Sequence, residues 1–231
     1  LNEPAQDEEL TSQQSFLART LGWLDSLEDS VPALIQATDE KHETIVRSDA
    51  LRSIALIAGR AKDNERPLDR PEVTDRLLEV SQDSDPLIRQ VCAFTLGLIP
   101  GDRVDQRLRV LAEDRDANTR INAAMAMSRR GMPEAFDALL QLLTSANEPV
   151  NPAAIEGGTE VEKKIRARSQ ENMNQVVLGN ALTALKDLAD AITDEQRQQA
   201  IAICKPLSED ASNIKIRIEA GTTLRALSGE E

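Results

Sequence analysis

With 231 residues, 40% of them hydrophobic and 29% charged, the chain has the length and balance of a soluble globular protein able to bury a sizeable core. Its formal charge of −13 works against sequence-independent nucleic-acid binding, in which lysine and arginine displace counterions from phosphate, and against an anionic membrane surface. No apolar run approaches the roughly 18 residues that cross a bilayer, and a chain with three phenylalanines, one tryptophan and no tyrosine suits packed helices better than a sheet.

The sequence predicts the following elements in chain order. An acidic start, Asn2 to Glu9, leads into an amphipathic helix that ends near Asp29. It carries Leu10, Leu17, Leu21 and Leu24 at helical spacing, with Phe16, Trp23 and Leu27 widening the apolar face. This helix is the natural cap for the open end of a helical stack. A short helix over 31–38 and a longer one over about 44–58 follow, then a polar stretch over 59–71 in which Pro67 and Pro71 stop the helix and stiffen the connection.

Two further helical pairs occupy about 72–100 and 103–130, with Gly101 and Gly131 as left-handed C-terminal stops. A fourth pair opens with Leu139 and Leu142 and is interrupted over 146–164 by Pro149, Pro152, Gly157 and Gly158. A long helix resumes near Ile165 and reaches Ala189, presenting Ala181, Leu185 and Leu188 on one face. The fifth pair runs from Glu195 to Leu207 and from Asp210 to Leu227, and the acidic end 229–231 is expected to fray.

A fixed period underlies these pairs. Val73, Arg76, Leu77, Asp83, Asp85, Arg89 and Ala93 recur 31 positions on as Val104, Arg107, Leu108, Asp114, Asp116, Arg120 and Ala124. The first pair fits the second at an offset of 42, the difference lying in the stretch over 59–71. A period of this size marks stacked repeats. Asp85 and Asp116 fall at helix N-cap positions. Arg89 and Arg120, one turn later, are placed to pair with these aspartates or with the equivalent residue of the neighbouring repeat, a ladder that would fix the stacking register. Capping and arginine pairing both lower a carboxylate pKa, so Asp83, Asp85, Asp114 and Asp116 do not read as an acid/base or metal cluster.

The segments DSDPLIRQVCAFTLGLI and DRDANTRINAAMAM resemble HEAT repeats, in particular the short bacterial kind named after phycobilisome lyases. The shared signature is an aspartate before the second helix, a hydrophobic-Arg pair early in it, then alanines and a leucine. The resemblance implies an all-α, right-handed α-α superhelix, a HEAT/armadillo-like solenoid of about five helical pairs with an N-terminal capping helix. It implies one repeat domain over 1–231, divided into the cap (1–29), repeats one to three and the start of four (30–145), an insertion (146–164) and the remainder (165–231).

Function is less legible than fold, because a fold hosts many activities. His42 is the only histidine and reads as an exposed loop residue. One HE dipeptide cannot supply the two irons of the similar deoxyhypusine hydroxylases. No GxSxG elbow and no Gly-rich phosphate loop is present, so no cofactor or catalytic residue is assigned. HEAT-like DNA glycosylases need a basic groove, against this charge. Cys92 and Cys204 read as small buried hydrophobes and leave the redox compartment open. The chain starts at Leu1, as a trimmed or processed form would, so cytoplasmic and exported locations both stand. Lys163, Lys164, Arg166 and Arg168 form a basic run that Glu160 and Glu162 can balance at i,i+4.

In the family, the second helix of each repeat lines the concave face. Heptad-like spacing turns Ile88, Cys92, Ala93 and Leu96 inward and leaves Gln90, Val91, Phe94 and Leu98 outward; the third repeat offers Ile121, Asn122, Met125 and Arg129. The expected protein-binding residues are Val91, Phe94, Leu98, Ile121, Met125 and Arg129, unless adjoining helices or the insertion cover them. The expected function is a non-catalytic protein-interaction scaffold. The alternative is an enzyme or chaperone-like factor similar to phycobilin lyases, acting on a bound chromophore or protein substrate.

Overall fold

A computed structural model describes residues 8–24 and 27–229. The described residues form α1 (Glu8–Trp23), α2 (Leu27–Ala37), α3 (Thr44–Asp63), α4 (Pro71–Val80), α5 (Pro86–Leu96), α6 (Asp102–Leu111), α7 (Ala117–Ser128), α8 (Phe136–Asn147), α9 (Glu160–Asp187), α10 (Asp194–Asp210) and α11 (Ile214–Ser228), with 3-10 turns at Pro133–Ala135 and Pro152–Ala154. They contain no strand, as a core without β-forming aromatics requires.

The chain divides into two compact units, residues 1–127 and 128–231. In the first, α2 pairs with α3 and α4 with α5; α3 packs on α5, α2 on α4, and α4 on α6. In the second, α8 packs on α9, α9 on α11, and α10 on α11. The sequence period maps directly onto the first unit's core. Val73, Leu77, Cys92, Ala93 and Leu96 are buried, and so are their counterparts Val104, Leu108, Ala123, Ala124 and Met127. Cys92 and Cys204 are both free and buried; burial pushes each thiol pKa up, that of Cys204 to about 12.

Several boundaries differ from expectation for identifiable reasons. The predicted helix over 10–29 is two helices: α1 stops at Trp23 and α2 starts at Leu27. α3 continues to Asp63, because nothing before Pro67 forbids it, and Pro71 supplies the fixed φ of the first turn of α4. Gly101 is the N-cap of α6 with φ 116°, not the stop of α5, which ends at Leu96. Gly131 does take a left-handed φ of 67° after α7. α9 begins at Glu160, five residues ahead of the predicted Ile165, because Thr159 and Glu162 form a reciprocal capping box. Thr193 and Gln196 do the same for α10.

The largest correction concerns α1. Its buried positions are Gln14, Ser15, Ala18 and Gly22, not the leucines. Ser15 Oγ donates to Asp49 Oδ2 (2.6 Å), Arg19 Nη1 donates to the same oxygen (3.0 Å), and Arg60 Nη2 donates to the carbonyl of Gly22 (2.6 Å). These contacts advance together along both chains, so α1 runs parallel to α3. A side chain at Gly22 would meet Ser53, its Cβ reaching Ser53 Oγ at 2.7 Å. Small residues permit this close approach, and the large apolar residues are left outside.

Candidate protein-binding face

Two sets of arginine contacts orient the second helices of the first unit. The forward set runs from α3 and α5 to the loop of the next repeat. Arg47 pairs with Asp83, and Arg89 pairs with Asp114 through Nε to Oδ2 and Nη2 to Oδ1, both 2.9 Å. Arg89 also donates to the carbonyls of Asp83 and Ser84 at 2.9 and 3.0 Å, so one guanidinium ties two successive loops. The backward set runs from the first helices: Arg76 Nε donates to Thr38 Oγ1 (2.9 Å), and Arg107 Nε to Ser81 Oγ (2.6 Å).

The N-cap aspartates serve both their own helix and the previous one. Asp85 accepts from the Leu87 N–H (2.9 Å) and from Thr44 Oγ1 (2.8 Å). Asp116 accepts from the Thr119 N–H (2.8 Å) and from Gln90 Nε2 (3.1 Å). The Arg89 guanidinium holds the Asp114 carboxyl below the usual carboxylate range. Burial pushes Asp116 up, but its hydrogen bonds from Thr119 and Gln90 outweigh it and leave the pKa low. These aspartates are therefore structural anions. Arg120 takes the same place in its helix as Arg89 and donates to the carbonyls of Asp114 and Arg115.

Fixing the register in this way sets an outward row on each second helix. Residues seven apart lie on one side of a helix, and the repeat offsets make Ile45 and Arg52 equivalent to Leu87 and Phe94, and then to Asn118 and Met125. Ile45 is 52% exposed, Leu87 38% and Phe94 41%; Arg52 and Asn118 are also exposed, and Met125 is half-buried. Of the residues expected in this role, Phe94 is the most exposed, and Leu98, Ile121 and Met125 are half-buried. Val91 is a correction: at 8% exposure it belongs to the core side of α5. Arg129 is half-buried and belongs to the second unit, where burial lowers its pKa against the opposing charge of Asp187. Ile45 and Leu87 were missed by reading heptads one repeat at a time. Carrying the seven-residue step across the offsets of 42 and 31 finds them.

His42 is a second correction. It is 4% exposed, both ring nitrogens are buried without a hydrogen-bond partner, and burial lowers its pKa. The basic run also behaves differently from expectation. Arg166 donates to the carbonyls of Glu156 and Gly157, closing the loop before α9, while Lys163 pairs with Glu160 at 3.6 Å. A polar cleft of about 580 Å³ lies beside Arg47, Arg76, Glu79 and Asp83, and both arginines there are engaged by the ladders. Among the described residues no group of three His, Cys, Asp or Glu could hold a metal ion, and no helix is long and apolar enough to cross a membrane.

Residues 74–157 match the family described as HEAT repeats. Curated protein sequences yield no match. Among solved structures, the chain is similar to a HEAT-like repeats protein of the archaeon Thermococcus onnurineus NA1, at 14% identity and a TM-score of 0.56, over 97% of this chain and 84% of that one. It is also similar to an engineered protein (16% identity, TM-score 0.54, 97% of this chain and 93% of that one). A designed armadillo repeat protein gives 16% identity and a TM-score of 0.52, over 96% and 95% of the two chains. At these identities the likeness establishes the fold alone.

Proposed function

We propose, from the match of residues 74–157 to HEAT repeats and from the stacked helical fold, that the chain is a non-catalytic scaffold that captures another protein on the outward face of its second helices. The observation that supports this reading is the set of exposed apolar side chains at Ile45 and Leu87, equivalent places on α3 and α5, and at Phe94, seven residues beyond Leu87 on α5. Contiguous exposed apolar surface favours a protein partner. Arg52 and Asn118 interrupt the row and would supply orientation. The net charge of −13 disfavours nucleic acid and anionic lipid as partners.

The structural and binding roles separate by mutation. Phe94→Glu and Met125→Glu should abolish partner capture from the native organism while leaving the melting temperature unchanged. Capture that survives both changes overturns the reading.

A further inference from the structure

The second unit carries a polar groove whose hydrogen-bonding capacity is only partly met. α9 and α11 lie side by side and run in the same direction, with Gly179 beside Ile216 and Thr183 Oγ1 donating to Glu219 Oε1 at 2.9 Å. Two adjoining clefts of about 560 and 460 Å³ share Asn172, Gln175 and Asn213 there. In a protein that is 29% charged, α9 has no charged residue from Asn172 to Leu185. Toward the clefts it presents amides instead, Asn172, Gln175 and Asn180, spaced as one helical stripe. Two features of this stripe have no account in the packing. Among the described residues Gln175 Oε1 is buried without a hydrogen-bond partner, and an unmet buried acceptor is destabilising. Gly179 lies inside a helix, where alanine is favoured, yet a Cβ there would only reach Ile216 Cδ1 at 3.6 Å, an ordinary contact. Packing does not ask for glycine at this place, whereas close approach of another main chain does.

We infer that this groove binds an extended peptide segment, its main chain along the amide stripe over Gly179 and one lysine or arginine side chain in the cleft lined by Glu148 and Glu171. A side-chain amide both donates and accepts, as does each residue of an extended main chain. Gln175 finds its missing donor in a peptide N–H by turning its oxygen into the groove. Asn213 Oδ1 already accepts from the Lys215 N–H at 2.9 Å, which leaves its nitrogen to donate to a peptide carbonyl. Charge selects the side chain. The larger cleft is lined by Glu148, Glu171 and amide groups, and among the described residues no basic one lines it. The smaller cleft sets Lys215 against Glu219, so it suits an uncharged main chain. Among the described residues no aromatic side chain lines either cleft, so a nucleobase has nothing to stack on, and a phosphate would meet the two carboxylates. The groove shares no residue with the face of α3 and α5 and stands whether or not that face captures a protein.

The probe is a short acetylated and amidated peptide of alanine and serine with one central lysine, titrated into the full chain and followed by NMR through the side-chain amide signals of Asn172, Gln175 and Asn180. These signals should shift saturably. Replacing the probe's lysine by glutamine should weaken binding about tenfold. Glu148→Gln together with Glu171→Gln should do the same to the lysine probe and leave the glutamine probe unchanged. Gly179→Leu should abolish binding of both probes, with a melting temperature no lower than that of the wild type. Spermidine offers ammonium groups without a main chain, so it should bind more weakly than the lysine probe and be indifferent to Gly179→Leu. No shift with the lysine probe, equal affinity for the lysine and glutamine probes, spermidine binding as tight as the lysine probe, or full binding by the Gly179→Leu chain overturns the inference.

Discussion

Arg89 holds Asp114 of the following repeat through two parallel 2.9 Å hydrogen bonds, with both side chains largely withdrawn from solvent. Breaking such a pair from one side leaves a buried charge without its counterion, a loss of about 3–5 kcal/mol. Asp114→Asn should therefore destabilise the protein by about that amount in denaturant titrations. Replacing both residues by apolar ones should be much milder, since no orphan charge remains. Equal losses from the single and double variants would mean that an orphaned charge is not the source of the loss.

The same pair predicts a pH response. The native pKa of Asp114 is depressed below its unfolded value of about 3.9. Its contribution is therefore fully present above that unfolded value and is lost as pH falls through the native one. Acid unfolding followed by circular dichroism should be less steep in Asp114→Asn than in the wild type over that range.

His42 responds with the opposite chemistry in a different window. Burial lowers its native pKa, so below about 6.5 the unfolded chain binds a proton that the folded chain refuses. Stability should fall as pH drops from about 6.5 towards the lowered native pKa. His42→Leu should remove this slope and match or exceed wild-type stability at neutral pH, because two buried ring nitrogens lack partners. A stability curve with the same slope in the variant would assign the effect to other groups.

Gly22 tests the docking of α1. Alanine in a helix is favoured over glycine by about 1 kcal/mol. Here its Cβ would also reach the backbone of Ser53, with Cα at 3.1 Å, and overpacking of this kind costs about 1–3 kcal/mol. Gly22→Ala should lower stability on balance, and Ser53→Gly in the same chain should recover part of the loss. A more stable Gly22→Ala variant would show that α1 can shift freely on α3.

Val91 and Phe94 lie on one helix and should behave oppositely. Val91 is nearly buried and Phe94 is 41% exposed. Val91→Asp should lose several kcal/mol by burying an unpaired charge, while Phe94→Ser should change the melting temperature little. Thermal melts of the two variants decide the assignment.

The sequence by itself determined the all-helical class, the repeat, the N-cap aspartates and the direction of the buried core positions. Each of these follows from local spacing, from the 31-residue period or from the chemistry of one side chain against its own helix. The sequence also paired Arg89 with the N-cap aspartate of its own repeat or of a neighbouring one, whereas packing gives it Asp114, two residues ahead of the N-cap Asp116.

Tertiary structure alone decided which side of α1 is buried. Counting apolar residues turns Leu10, Leu17 and Leu24 inward, whereas the close approach to α3 selects Ser15, Ala18 and Gly22 because their small side chains let the helices meet and Asp49 satisfies the polar ones. Likewise, His42 lies buried and Val91 faces the core because of neighbours distant in sequence, while Ile45 joins Leu87 and Phe94 only once the ladders fix how the helices stack. Periodicity reads one helix at a time, but burial is a property of the helices that press against it.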